Sequence, residues 1–165
     1  MITLELDAKD LQILAILQQQ GRLPNQELAK QINLSPSPCL RRVKMLEDAG
    51  VIQGYAAQVS AKAVGLGLNA LIAVTLVRHD KDTIDVFEAQ VRAIPEIMEC
   101  YLQTGADDYW LRAVLPDLEA YETFMRDKLH TIPGIRSMTS SIVVSTIKSS
   151  QMLPLEQIQS KPVRF

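Results

Sequence analysis

The sequence predicts an α+β protein with a helical domain at its N-terminus and a domain of mixed strands and helices after it. In residues 1–60, apolar residues recur at helical spacing in three short blocks. From about residue 68, β-rich runs alternate with helical ones in the order βαββαβ. Residues 61–67 contain two glycines and separate the two patterns as a linker. We expect the second domain to span residues 68–150, with a C-terminal tail at residues 151–165.

Composition indicates a folded, soluble chain. Of its 165 residues, 47% are apolar and 22% are charged, as is ordinary for globular proteins. No apolar run approaches the ~20 residues of a membrane span, and no export signal is visible, so we expect a cytoplasmic protein without membrane contact. Cys39 and Cys100 lie far apart, which encodes neither a disulfide framework nor a metal site. The net charge of −2 gives no overall indication of nucleic-acid binding, which has to be argued from local patterns.

The first two helices are recognised by their ends. Asp7 is a good N-cap for a helix that stops at Gly21. A second helix runs from about Pro24 to Ile32. Asn33 follows it and can take the left-handed conformation of a tight turn between helices. These features predict two short helices joined to a third.

The third helix combines a well-marked start with a basic outer face. Ser35 is a natural N-cap, Pro36 suits the first helical position, and Gly50 can end the helix. At 100° per residue, Leu40 shares the inner side with Val43 and Leu46, and Glu47 also falls there. The outer side and its flank carry the residues that could enter a DNA major groove: Ser37, Pro38, Arg41, Arg42 and Lys44.

Residues 51–59 follow the third helix and are long enough for a two-stranded wing that turns near Gly54. Such a wing would complete a winged helix-turn-helix. A basic helix face taken by itself is more often a solvated surface. The capped third helix and the Asn33 turn favour DNA binding.

The second domain follows a ferredoxin-like order. The motif Ile-Pro-x-Ile recurs at residues 94–97 and 132–135, at the same helix-to-strand junction, and suggests two βαβ halves. The first strand is apolar on both sides, so we expect a partner to cover the open face of the sheet. The predicted elements are a strand at 67–77, a helix at 83–93, strands at 97–104 and 109–115, a helix capped by Asp117, and a last strand within 135–147.

Residues 105–109 connect the two middle strands. Gly105 allows the backbone to approach a ligand, and the N–H groups of the loop could hold a carboxylate. Asp108 could pair with an ammonium group. Together these are the two charged groups of an α-amino acid. An ordinary β-hairpin turn is the alternative that these residues leave open.

The run from Leu34 to Ile52 resembles the recognition helix of the Lrp/AsnC family, the feast/famine regulators. Gly21-Arg22-Leu23 and Glu27-Leu28-Ala29 fit the family's first helical turn, and residues 105–109 fit its effector-loop pattern G-x-x-D-Y. Pro24 departs from the Ser or Thr cap usual there. The resemblance spans almost the whole chain. It implies a sequence-specific DNA-binding transcriptional regulator modulated by a small amino acid such as leucine or methionine, with no cofactor.

The resemblance also implies an assembly and an effector site. The family's C-terminal domain, the RAM domain, pairs sheet to sheet, which implies a homodimer on double-stranded DNA that assembles further, with an octamer as the expected form. The effector pocket lies at the seam between dimers. At matching positions its lining is Leu102, Thr104, Gly105, Asp108, Leu118, Ser141, Ile142 and Val143. The apolar members favour leucine or methionine over a charged effector.

Two other classes of function stay open at this stage. One is an architectural DNA packager with little sequence preference, and the other is a ferredoxin-like enzyme or small-molecule-binding protein that never touches DNA. We expect no enzyme, because His79 and His130 stand alone and no HExxH, GxSxG or P-loop motif occurs. A basic helix on a separate domain would also serve no purpose in such an enzyme.

Overall fold

A computed structural model of the protein describes residues 3–150, 152–158 and 163–164. The described residues group into two compact units, the first from residues 1–58 and 149–165 and the second from residues 59–148. The tail therefore belongs with the N-terminal helices, although residues 151, 159–162 and 165 of the predicted tail lie outside the described residues. Within the described ranges, no helix is long and apolar enough to cross a membrane.

The first unit contains the three predicted helices, α1 (Ala8–Gln19), α2 (Asn25–Gln31) and α3 (Pro36–Asp48). Asp7 caps α1 in a reciprocal capping box, so the predicted start of this helix is confirmed. Asn33 has a φ of 54°, the left-handed conformation predicted for the turn between α2 and α3. The core between the helices is made of fully buried side chains: Ile13, Leu28, Ile32, Cys39 and Leu46.

The inner side of α3 differs from the prediction. Leu40 is 45% exposed, whereas its neighbour Cys39 is fully buried. Glu47 is also exposed, and its Oε1 accepts a hydrogen bond of 2.9 Å from the Tyr55 hydroxyl. Cys39 forms an i, i+4, i+7 stripe with Val43 and Leu46, and this stripe packs into the core. Leu40 lies about 100° around the helix from Cys39 and so points away from that core.

Residues 51–59, all of which the structure describes, contain no strand, so the predicted two-stranded wing is absent. The hydrogen bonds of this segment go to α3 instead of to a partner strand. The N–H of Ile52 donates to the carbonyl of Leu46 at 3.0 Å, and the Tyr55 side chain binds Glu47. The segment therefore lies along the end of α3 without closing into a hairpin.

The tail contacts α1 in the same unit. The Gln18 side chain brackets the backbone of Leu153: its Oε1 accepts the N–H at 2.6 Å, and its Nε2 donates to the carbonyl at 3.4 Å. Leu155 packs against the helical core. Two short strands at the chain ends, β1 (Thr3–Leu4) and β6 (Val163–Arg164), pair antiparallel. The helical unit is thus built from both ends of the chain.

The second unit has the predicted βαββαβ order. Its strands are β2 (Leu68–Leu76), β3 (Ile97–Leu102), β4 (Tyr109–Leu115) and β5 (Ile135–Ile142), and its helices are α4 (Lys81–Ala93) and α5 (Leu118–Asp127). The strands form one antiparallel sheet in the order β3-β4-β2-β5. This is the ferredoxin-like arrangement, and the predicted α+β fold is confirmed. Asp117 caps α5 by accepting the N–H of Ala120.

Alternate residues of the central strands build the core of the second unit. Ala70, Ile72, Val74 and Leu76 of β2 are fully buried and pack with Phe87 of α4 and other helical residues. The intervening residues of β2 lie on the opposite face of the sheet, where Leu71 and Ala73 are half-buried. One face of the sheet is therefore covered by its own helices. The other face is left to solvent or to a partner.

Candidate DNA interface and effector loop

The outward side of α3 presents two cations and a small polar residue. Ser37, Arg41 and Lys44 are exposed, and Pro38 lies half-buried in the first turn. Arg41 and Lys44 are three residues apart, so their side chains lie side by side on the helix surface. Neither forms an ion pair with any residue that the structure describes. This face can therefore bind an anionic partner without first breaking an internal contact.

Arg42 points elsewhere, toward α1. Its Nη1 lies 2.8 Å from Asp10 Oδ1 and 2.8 Å from Asp7 Oδ2. Asp10 is only 1% exposed. Hydrogen bonds to Asp10 and then to Asp7 raise the pKa of Arg42, so the guanidinium is held in its charged form. The sequence-based grouping of Arg42 with the DNA-facing residues does not match this geometry, because the buried carboxylate of Asp10 draws its side chain inward.

A second contact fixes the start of α3. Asn25, the first residue of α2, donates its side-chain N–H to the carbonyl of Pro36 at 2.9 Å. Together with the Arg42 ion pair and the buried Cys39, this contact holds α3 on both neighbouring helices. The outward side chains consequently project from a rigid element, which favours precise recognition.

The predicted effector loop is a closed turn between β3 and β4. The N–H of Gln103 donates to the carbonyl of Asp108 at 2.9 Å, and the N–H of Asp108 donates to Val74 at 2.9 Å. Gly105 has a φ of 143°, a conformation that favours glycine. The loop is thereby attached to the end of β2.

The Asp108 carboxylate already has two partners in its own chain. Its Oδ2 accepts the N–H of Leu76 at 2.7 Å, and its Oδ1 lies 2.8 Å from His79 Nε2. The hydrogen bond from the Leu76 N–H lowers the pKa of Asp108, and burial opposes this change. The hydrogen bond with His79 also lowers the pKa of Asp108. A carboxylate has about four lone-pair positions, so capacity for a further donor is left. Sequence reasoning missed His79, because the two residues are 29 positions apart with no local motif.

The sequence-predicted effector residues form two groups in the structure. Leu102 pairs with Tyr109, which lies opposite Val74, whereas Ile142 pairs with Ala70. Four residues along β2 and three strand spacings separate these positions, which amounts to about 19 Å. The loop group is Leu102, Thr104, Gly105 and Asp108, and the group at the opposite end is Leu118, Ser141, Ile142 and Val143. One chain therefore does not bring both groups into one pocket.

The open face of the sheet carries an aromatic and apolar patch. Tyr101 of β3 lies opposite Trp110 of β4, which lies opposite Ala73 of β2. Tyr101 is 58% exposed and Trp110 is 38% exposed. Leu71 lies two residues from Ala73 on the same side of β2. Arg112 lies opposite Leu71 and pairs with Glu99 at 2.7 Å, so this face combines a local apolar patch with an ion pair. An exposed patch of this kind is typical of a face that packs against another molecule.

Two family models match the chain. A winged helix-turn-helix DNA-binding model matches residues 6–53, and a model described as the Lrp/AsnC ligand binding domain matches residues 69–153. The chain belongs to the Lrp/AsnC family of transcriptional regulators. A curated Lrp/AsnC relative, the leucine-responsive regulatory protein of Salmonella typhimurium, is 38% identical over 152 residues, which cover 92% of this chain and 93% of the relative.

Solved Lrp/AsnC structures agree with this assignment. A transcriptional regulator from Neisseria meningitidis, crystallised as a complex with L-Met, is 46% identical with a TM-score of 0.87, over 91% of this chain and 97% of that one. An AsnC-family regulator from Agrobacterium tumefaciens is 32% identical with a TM-score of 0.89, over 93% of this chain and 100% of that one. The family resemblance and the prediction of a DNA-binding transcriptional regulator are confirmed. The named relatives are regulators and not enzymes.

Proposed function

We propose that the regulator contacts double-stranded DNA through the outward side of α3, with Ser37, Pro38, Arg41 and Lys44 as contact residues. The observation that carries this proposal is the exposed pair of cations, Arg41 and Lys44, on a helix held rigidly by its neighbours. The Arg41 guanidinium can form two hydrogen bonds with guanine or bind a phosphate, and the Lys44 ammonium can bind a phosphate of the DNA backbone. In this proposal Arg42 is a positioning residue that acts through Asp10.

The assembly in this proposal is a homodimer joined through the open faces of two sheets. The exposed patch around Tyr101 and Trp110 supports such pairing. Two-fold pairing would set two copies of α3 on successive major grooves, ~34 Å apart, so the binding site should have dyad symmetry. Dimers would assemble further to an octamer, in the cytoplasm. A sedimentation-velocity run with and without effector tests this assembly.

The proposed effector is a small α-amino acid with an apolar side chain, L-methionine or L-leucine. The Asp108 loop offers a carboxylate for the ammonium group, and exposed Leu118 and Ile142 offer apolar surface. Because these groups lie at opposite ends of one sheet, the pocket in this proposal draws them from two chains at the seam between dimers. The relative crystallised with L-Met supports this effector class. The effector would shift assembly only by its differential affinity, typically ~1–3 kcal/mol.

The DNA-binding proposal is tested by selecting a preferred duplex from a random pool and measuring gel-shift affinity against random competitor. A regulator should favour the selected duplex by ~10³ or more, whereas an architectural packager would show little preference. The double variant Arg41→Ala, Lys44→Ala should lose most of the binding. Lys81→Ala removes an exposed cation from α4 and should leave binding intact. Unchanged affinity in the double variant would show that α3 is not the contact helix.

A further inference from the structure

Leu40 is a large apolar side chain placed among the polar and basic residues of the outward side of α3. It is 45% exposed, and it lines a shallow groove with Ser37, Arg41 and Lys44, closed at the far end by Met45, Asp48 and Ala49. The core of the unit is complete without it, since Cys39 and Leu46 are fully buried. Packing within the unit therefore leaves much of the Leu40 side chain accessible to a partner.

The position of Leu40 along α3 restricts what that partner can be. Leu40 is the fifth residue of the helix, and the N-terminal part of a recognition helix is the part that contacts base edges. The major-groove edges of the four bases present donors, acceptors and one apolar group, the C5-methyl of thymine. Because Leu40 has no polar atom in its side chain, the thymine methyl is the base feature that it can recognise.

The charge around Leu40 favours DNA over a protein partner. Arg41 and Lys44 line the same groove, and neither forms an ion pair with a residue in the described part of the chain. An apolar protein surface covering Leu40 would have to desolvate both cations, with Asp48 as the one acid among the residues that line the groove, which is costly. A major groove bordered by phosphates would supply the counter-charge beside the apolar contact.

We propose that Leu40 packs against the C5-methyl group of a thymine and selects thymine at one position of each half-site. This inference rests on the proposed function of α3 as the DNA-contacting helix. Arg41 and Lys44 then supply affinity beside it, while Leu40 distinguishes thymine from cytosine and from the purines at its own position. The side chain is a specificity determinant whose removal should change which sequences are preferred.

The test uses the full-length protein and the duplex selected by the wild-type chain. Each thymine is replaced in turn by uracil, which keeps every hydrogen-bonding group and removes only the methyl. We expect one replacement per half-site to weaken wild-type binding by about 3–10-fold, a loss of about 0.7–1.4 kcal/mol, which is the order of magnitude for burying one methyl group. Leu40→Ala should bind the thymine and uracil duplexes equally. Leu40→Met, which keeps an apolar side chain, should keep the preference.

Lys44→Ala is the matched control, because it should weaken binding to both duplexes while the thymine-to-uracil ratio stays as in the wild type. Leu40→Gln, with a polar side chain of similar length, should lose the preference for thymine over uracil. This variant checks that the result with alanine is not a folding effect. If no uracil replacement matters, or if the sensitivity persists in both Leu40→Ala and Leu40→Gln, the Leu40 inference is overturned although α3 still binds DNA. If the wild type selects no duplex, the proposed function itself fails.

Discussion

Replacing Arg42 with alanine separates a positioning role from a direct DNA contact. The substitution leaves the Asp10 carboxylate, 1% exposed, without its guanidinium partner, and a buried charge that loses its partner typically costs 3–5 kcal/mol. Asp10 keeps one hydrogen bond of 3.0 Å from the N–H of Asp7, and Asp7 is half exposed, so its own pair with Arg42 adds little. We therefore expect the first unit to lose about 3 kcal/mol of unfolding free energy.

The assay follows each unit by its own signal during urea unfolding. The single tryptophan, Trp110, lies in β4 and reports on the second unit, while far-UV circular dichroism also reports on α1, α2 and α3. Arg42→Ala should shift the dichroism transition and leave the Trp110 transition in place. Arg41→Ala should differ from Arg42→Ala in its unfolding: it should weaken DNA binding and leave both unfolding transitions unchanged.

Variants of Asp10 give the result that would refute this reasoning. Because Asp10 is buried and cannot touch DNA, Asp10→Asn should also weaken DNA binding, through the loss of the same ion pair. Combining Asp10→Leu with Arg42→Met should recover much of the stability lost in Arg42→Ala, since neither charge is then left unpaired. If Arg42→Ala abolishes DNA binding at full stability while Asp10→Asn binds normally, Arg42 contacts DNA directly.

Further outcomes concern the second unit. Asp108→Ala should abolish the rise in thermal midpoint caused by L-methionine and should keep effector-free DNA binding. Asp107→Ala, which removes the neighbouring acid, should keep the rise. A rise retained in Asp108→Ala would place the effector elsewhere. Since the Leu76 N–H lowers the pKa of Asp108, its stabilising contribution should be complete above the ordinary carboxyl pKa of about 4 and disappear as pH falls through the lowered value. Urea unfolding by Trp110 fluorescence should show this loss, and Asp108→Asn should flatten the dependence; an equal slope in both proteins would contradict it. Gly134→Ala should cost about 1–3 kcal/mol, because φ is +87° and the new Cβ would lie 2.7 Å from Thr83 Cγ2. Gly65→Ala, at φ +85° with no neighbour within 4 Å, should cost less, and equal losses would show that the contact with Thr83 is unimportant.

The predictable part of the fold is encoded by neighbouring residues. The Asp7 cap and the left-handed Asn33 depend on groups only a few positions apart, so the sequence predicts both without any tertiary contact. The turn between β3 and β4 was predicted in the same way, because Gly105 and Asp108 lie between two β-rich runs, whereas its role as an effector loop comes from the family resemblance and stays a prediction.

Tertiary structure decided the features that join distant residues. Arg42 and Asp10 are 32 positions apart, and Gln18 and Leu153 are 135 positions apart, so no local pattern relates them. Helical periodicity shows which residues of α3 share a side of the helix, but packing against α1 and α2 determines which side is buried. The side with Cys39 is buried, and Leu40 stays exposed. A sequence specifies hydrogen bonds and side-chain spacing within one element, whereas burial depends on which elements meet.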